Sequence, residues 1–186
     1  MRAADKIRAD NAAGRPTTVD ASGTAEDVTT AYDGNGNVAS VTNATVQSSF
    51  TYDAAHRMTS RTDVINGRTF SQTYTYDALD NLTSVTYPLS GRTVFYDYDT
   101  QGRLTAVRTS VGGGTSQTLA SGFTYRGDGA LSGYTFGNGL TASTGFDTRS
   151  RPTHWVNGPL DLTYAYDYVG NVTSIAYAQD PVGNRH

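Results

Sequence analysis

Aromatic or apolar residues alternate with small or polar ones in short runs along the chain. Phe50 and Tyr52 flank Thr51, Tyr74 and Tyr76 flank Thr75, and Tyr96 and Tyr98 flank Asp97. Phe123 and Tyr125 flank Thr124, and Tyr164 and Tyr166 flank Ala165. A period of two sends successive side chains to opposite faces of a strand, so each run predicts a strand with one aromatic face. Asp follows most of these tyrosines, and Asp starts turns by hydrogen-bonding its own backbone. Gly14, Gly36, Gly102, Gly129 and Gly170 stand four residues past the aromatic position, where the turn calls for positive φ. At the same place His56, Asp80 and Ser150 replace glycine, and Asp tolerates that conformation better than His or Ser. A second, Thr-rich strand then begins, as in Leu82-Thr83-Ser84-Val85, Leu104-Thr105-Ala106-Val107 and Val172-Thr173-Ser174-Ile175.

The unit repeats. Tyr-Asp pairs stand at Tyr32-Asp33, Tyr52-Asp53, Tyr76-Asp77, Tyr98-Asp99 and Tyr166-Asp167. Degenerate copies begin at Asp10, at Tyr125-Arg126 and at Phe146-Asp147. The anchors near 10, 32, 52, 76, 98, 125, 146 and 166 recur about every 22 residues, a spacing that signals a repeat architecture. The interval varies as loop lengths do in hairpins; in a helical repeat each added residue would rotate the face by about 100°. Between units lie Asn66-Gly67, Asn138-Gly139 and Asn157-Gly158, strong hairpin signals, with Ser90-Gly91 and Gly112-Gly113-Gly114 in equivalent places. The prediction is an all-β antiparallel meander of stacked hairpins, about eight units in a single array over residues 1–186, forming a curved or spiralling sheet strip.

Composition supports this. Glu26 is the only Glu and Lys6 the only Lys, while Thr occurs 29 times and Tyr 13 times. Two common helix formers are thus nearly absent, and strand formers are abundant. Met1 to Asp10 is the one stretch compatible with a helix. The net charge of −3 and the even spread of Arg disfavour nucleic-acid binding. No apolar run is long enough to span a membrane, and no apolar signal peptide is present. With no Cys there are no disulfides and no thiolate-ligated metal.

Tyr98-Asp99-Thr100-Gln101-Gly102-Arg103-Leu104-Thr105-Ala106-Val107 closely resembles the YD repeat of the Rhs family, and family-like copies run from about Asp10 to Ile175. That family includes bacterial polymorphic toxins, insecticidal toxin-complex subunits, wall-associated proteins and teneurins. The resemblance implies a β-sheet strip wound into a hollow shell, which in toxin members encloses a C-terminal toxin. It implies a secreted or cell-surface parent protein, and as partners the rest of that protein and its cargo. The chain departs from the family in being short. Asp180-Pro181-Val182-Gly183 is similar to the family's self-cleavage signature but lacks the aromatic Asp-Pro run upstream, so a truncated ninth turn accounts for it. Without atypical end caps, the expectation is a fragment of a larger protein, or a short member that pairs its open edges with another copy.

Other chemistry is weaker. His56, His154 and His186 have no supporting catalytic motif, so no catalytic residue is assigned. Asp33-Gly34-Asn35-Gly36-Asn37 opens like a calcium loop but places Val38 at the glycine and Ala44 at the closing Glu. Arg126-Gly127-Asp128 spells an integrin tripeptide but falls on a repeat turn, and the sequons at Asn43, Asn81 and Asn171 largely coincide with the repeat. No metal or cofactor is expected. The function expected is a non-enzymatic scaffold whose anchors are Tyr32, Asp33, Tyr52, Asp53, Tyr76, Asp77, Tyr98, Asp99, Tyr125, Phe146, Asp147, Tyr166 and Asp167. The alternative is an adhesion module that binds glycans or cell-surface proteins through the aromatic face.

Overall fold

The computed structural model describes residues 6–20 and 27–178. Among the described residues sixteen strands follow one another, each antiparallel to the next and paired in sequence order. They are β1 (Lys6–Asp10), β2 (Pro16–Asp20), β3 (Val28–Tyr32), β4 (Val38–Thr42), β5 (Val46–Tyr52), β6 (Met58–Ile65), β7 (Arg68–Tyr76) and β8 (Leu82–Thr86). Then come β9 (Arg92–Tyr98), β10 (Leu104–Val111), β11 (Gln117–Tyr125), β12 (Leu131–Phe136), β13 (Thr141–Phe146), β14 (Pro152–Asn157), β15 (Leu160–Tyr166) and β16 (Val172–Tyr177). The chain is therefore all-β, an antiparallel meander. Two compact units, Met1–Thr93 and Val94–His186, divide it within β9. No helix among the described residues is long and apolar enough to cross a membrane.

Lys6–Asp10, in the stretch compatible with a helix, is instead a strand. Its register with β2 sets Ile7 opposite Val19 and Asp10 opposite Pro16. So short a helix is marginal in water, whereas pairing satisfies the backbone groups on one edge. The Asp180–Gly183 segment, His186 and Glu26 lie outside the described residues.

In the first unit the alternation is regular on β3, β5 and β7. Along β5, Val46, Ser48, Phe50 and Tyr52 turn to the covered face while Gln47, Ser49 and Thr51 are exposed. The second unit repeats this on β11, where Phe123 and Tyr125 are half-buried and Gly122 and Thr124 exposed. Burial is shallow. Among the described residues only Val85, Ala120 and Ala142 are buried apolar residues, with Ser48, Thr109 and Ser110 the buried polar ones.

Among the Asn-Gly steps, Asn66-Gly67 closes its hairpin with φ of 50° and 74°, the pattern of a type I′ turn. The other two named between units also mark hairpins, with different loops. Asn138-Gly139 belongs to a four-residue connection between β12 and β13, and there only Gly139 takes positive φ. A Cβ on Gly137 would run into the Thr118 carbonyl, and the Gly137 N–H donates to Leu119 O at 2.7 Å. Asn157 pairs with both Ala142 and Leu160, which keeps it in β14 and leaves Gly158-Pro159 as the loop.

Candidate functional site

Each Tyr-Asp turn is built from one carboxylate. Asp33 Oδ1 accepts from the N–H of Asn35 and of Asn37, both at 2.9 Å, and Oδ2 accepts from Asn37 Nδ2 at 2.9 Å. Asp77 does the same with Leu79 and Asn81, and Asp167 with Val169 and Asn171. At Asp53, Asp99 and Asp147 the side-chain donor is Nε of Arg57, Arg103 or Arg151, at 2.8, 2.8 and 2.7 Å. Arg and Asn alternate there because each presents an N–H to the same oxygen. In the first copy Asn11 takes the Asp place, and its Oδ1 accepts from Ala13 and Arg15.

These bonds hold the carboxyls below the usual carboxylate range. The largest cause is the side-chain donor at Asp33, Asp53, Asp77 and Asp167. At Asp99 and Asp147 it is the backbone N–H of Arg103 and Arg151.

The tyrosine tethers one hairpin to the one before. Tyr32 donates its hydroxyl to Pro16 O, Tyr52 to Val38 O, Tyr76 to Met58 O, Tyr125 to Leu104 O and Tyr166 to Pro152 O, over 2.6–3.0 Å. Every acceptor is the first residue of a second strand. Proline is accommodated at 16 and 152 because the tether uses only its carbonyl. A register shift accompanies the anchor: Tyr52 pairs with Met58 across a bulge after Thr51, and the same occurs at Tyr32, Tyr76, Tyr125, Phe146 and Tyr166. The bulge re-aims the aromatic side chain at the strand end.

An arginine from the preceding turn covers most of these rings. Arg15 lies over Tyr32 at 4.4 Å, Arg57 over Tyr76 at 4.8 Å, Arg103 over Tyr125 at 5.1 Å and Arg151 over Tyr166 at 4.4 Å. Arg126, from the Asp place of its own turn, covers Phe146 at 4.5 Å. Guanidinium over a ring face is favourable, and planar Arg suits it better than Lys. Arg57 Nη1 continues to Asp77 O at 2.8 Å, and Arg151 Nη1 to Asp167 O at 3.2 Å.

The three residues that replace the turn glycine all adopt positive φ: 64° at His56, 66° at Asp80 and 60° at Ser150. Each also reaches the preceding turn. His56 Nδ1 meets Asn37 Oδ1 at 2.9 Å, Arg57 Nη1 donates to Asp80 Oδ1 at 2.7 Å, and Arg126 Nη2 donates to Ser150 Oγ at 3.0 Å. At Gly36 the Arg15 guanidinium fills the space a Cβ would take. Gly14, Gly102, Gly129 and Gly170 carry φ of 70°, 75°, 85° and 103°.

The face opposite the aromatics is a hydroxyl surface in the first unit. Thr51 Oγ1 lies 2.8 Å from Thr59 Oγ1 and 2.7 Å from Ser60 Oγ, and Thr75 Oγ1 lies 2.8 and 2.6 Å from Thr83 and Ser84. In the second unit Asp97 and Arg108 form a two-point ion pair at 2.6 Å across the β9–β10 hairpin, which lowers the Asp97 carboxyl. Phe123 stacks on Tyr134 at 5.1 Å, and Tyr134 meets Phe136 edge-on at 4.9 Å. Further along, Phe146, Trp155, Tyr164 and Tyr166 line an open cleft of about 480 Å³.

Both described histidines have a polar side-chain partner. His56 is engaged with Asn37, and His154 with Asp161 at 2.6 Å. Among the described residues no group of three or more His, Cys, Asp or Glu side chains is placed to hold a metal, and the Asp33 oxygens are taken by its own turn. Arg126 is paired with Asp128 at 3.0 Å and lies over Phe146, so the Arg-Gly-Asp tripeptide is folded onto itself. The Asn43 side-chain carbonyl caps its own turn by accepting from Val46 N at 2.8 Å. Sequence reasoning missed the arginine cover and the turn-to-turn bonds. The one signal for them was the Arg or Asn that follows the glycine position in every turn but the one ending at Ala130.

The family model for the teneurin YD-shell matches residues 8–126 of the 186. Among solved structures the chain is similar to TcdB2-TccC3, with a TM-score of 0.79 and 17% identity over 94% of this chain and 10% of that one. It is also similar to a mutant Tc holotoxin pore of Photorhabdus luminescens, with a TM-score of 0.57 and 18% identity over 89% of this chain and 12% of that one. TcdB2-TccC3-TEV gives a TM-score of 0.55 at 17% identity, over 89% and 12%. The chain thus spans about a tenth of the length of the structures it matches. Among curated proteins none matches it.

Proposed function

From the premise that the chain belongs to the teneurin YD-shell family, we propose that it is a stretch of shell wall which, in a longer protein, encloses a toxin or other cargo. It is a structural element; its proposed work is mechanical and not enzymatic. The observation that carries the reading is the tether, a tyrosine hydroxyl on the backbone carbonyl of the hairpin before it, repeated in both units. Such a bond spends the Tyr-Asp residues on joining hairpins rather than on a ligand. In this reading the anchors and turn glycines hold a single array over residues 1–186, curved so that it separates an inside from an outside. The parent protein would be secreted or displayed at the cell surface, and the partners would be the rest of that protein and its cargo.

The test is limited proteolysis of the parent protein. With the array intact, a cargo domain should resist protease while exposed linkers are cut; cargo cleaved as fast as in a cargo-only control would end the reading.

A second reading, a glycan- or protein-binding adhesion module, is favoured by the cleft among Phe146, Trp155, Tyr164 and Tyr166. Stacked sugars would use those rings. A glycan array comparing the chain with Tyr164→Ala decides it: no signal above background removes this reading.

A further inference from the structure

The chain holds four described Asn-Gly steps, at Asn35, Asn66, Asn138 and Asn157, and they are not chemically equivalent. At such a step the backbone nitrogen of the glycine can attack the asparagine side-chain Cγ. An N–C bond forms, the bond from Cγ to the amide nitrogen breaks, and ammonia leaves. The five-membered imide then takes up water and opens to aspartate or isoaspartate. Water is the only co-reactant, and no oxidant is needed. The reaction asks that the glycine nitrogen be free to move onto Cγ and that water reach it.

Three of the four nitrogens are committed. Gly36 N donates to Asp33 O at 3.1 Å, Gly139 N to Phe136 O at 2.9 Å and Gly158 N to Thr141 O at 2.9 Å. Their surroundings restrain them further. The Arg15 guanidinium packs against Gly36, Asn138 Oδ1 is engaged by Leu140 N at 3.1 Å, and Asn157 is held in β14 by partners on both sides. Asn66-Gly67 differs at its glycine nitrogen. It is the whole loop between Ile65 and Arg68, which pair with each other, so the two residues between them are outside the ladder. Among the described residues neither the Gly67 nitrogen nor the Asn66 side chain has a hydrogen-bond partner, and both residues are exposed. Nothing lies within 4 Å of the position a Cβ would take on Gly67, or on Gly139, so the glycine nitrogen and not open space separates these two steps.

We propose that Asn66 is the modification site of this chain, converting spontaneously to aspartate or isoaspartate ahead of the other three. The products matter to the hairpin. Isoaspartate lengthens the backbone by one methylene inside a two-residue turn whose φ values are both positive. Aspartate places a new carboxylate two residues before Arg68.

The folded chain would be incubated at mildly alkaline pH and digested with trypsin. Mass spectrometry, with chromatographic separation of aspartate and isoaspartate, would then follow the peptide Thr62–Arg68 and those holding the other three steps. Asn66 should convert severalfold faster than Asn35, Asn138 and Asn157. In denaturant, where all four nitrogens are free, the rates should draw together. Equal rates in the folded chain, or a leader other than Asn66, would overturn the proposal. So would a difference that persists undiminished in denaturant, since local sequence and not the fold would then set the order.

Discussion

A hydroxyl and a carboxylate carry most of the repeat at the level of single residues. Tyr76 Oη gives one hydrogen bond, to Met58 O at 2.9 Å, while the ring keeps its arginine cover. Tyr76→Phe therefore removes the bond alone, and unfolding by denaturant should show a loss of about 0.5–1.5 kcal/mol. A change below detection would mean that the tether adds nothing. Phe146 shows that a ring without the hydroxyl can occupy the place, which favours a modest loss over a collapse. The carboxylates predict an acid limb. Asp33, Asp53, Asp77, Asp99, Asp147 and Asp167 are all lowered in the folded state. Their contribution is thus fully present above the ordinary Asp value, and it is lost as pH falls through that value toward the lower folded one. Thermal midpoints should be flat near neutrality and drop between about pH 5 and about pH 3. Asp53→Asn should make that drop shallower; an unchanged slope would exclude the turn carboxylates as its source.

At the level of the hairpin, two functions meet in one arginine and can be separated. Arg151 closes its own turn through Nε on Asp147 and reaches forward over Tyr166 to Asp167 O. Asparagine closes the same turn at positions 37, 81 and 171 but is too short to lie over the next ring. Arg151→Asn should leave the backbone amides at positions 149 and 151 protected from hydrogen exchange while exchange quickens in β15; loss of protection at both would mean the two roles are one. Much of this hairpin was legible in the sequence. Parity named the aromatic face, Asp and Gly named the turn, and the replacements at His56, Asp80 and Ser150 were located without coordinates. Contacts between hairpins were not legible, because a two-residue period says which face a side chain takes and nothing about the neighbour it meets about 22 residues away. The Asn-Gly steps between units marked hairpins but not the length of their loops, for a related reason. Local turn preference was outweighed at Asn157 by pairing on both sides and at Asn138 by the backbone crowding Gly137.

For the whole molecule the question is what meets the last strand. Among the described residues β16 pairs only with β15, and Val172, Ile175 and Tyr177 on it are exposed. Val172 also holds the place, first residue of a second strand, whose carbonyl accepts a tyrosine hydroxyl at Val38, Met58, Leu104 and Pro152. An unpaired strand with apolar side chains is a template for another strand. In the shell reading a further hairpin of the parent protein takes that place, and in the isolated chain a second copy can. Size-exclusion chromatography with light scattering should therefore show a mass that rises with concentration. Ile175→Lys puts a charge on the exposed edge, so this variant should stay monomeric with an unchanged circular dichroism spectrum. A wild-type chain that is monomeric at every concentration would show the edge to be closed by some other means, and the case for a missing neighbouring hairpin would fall with it.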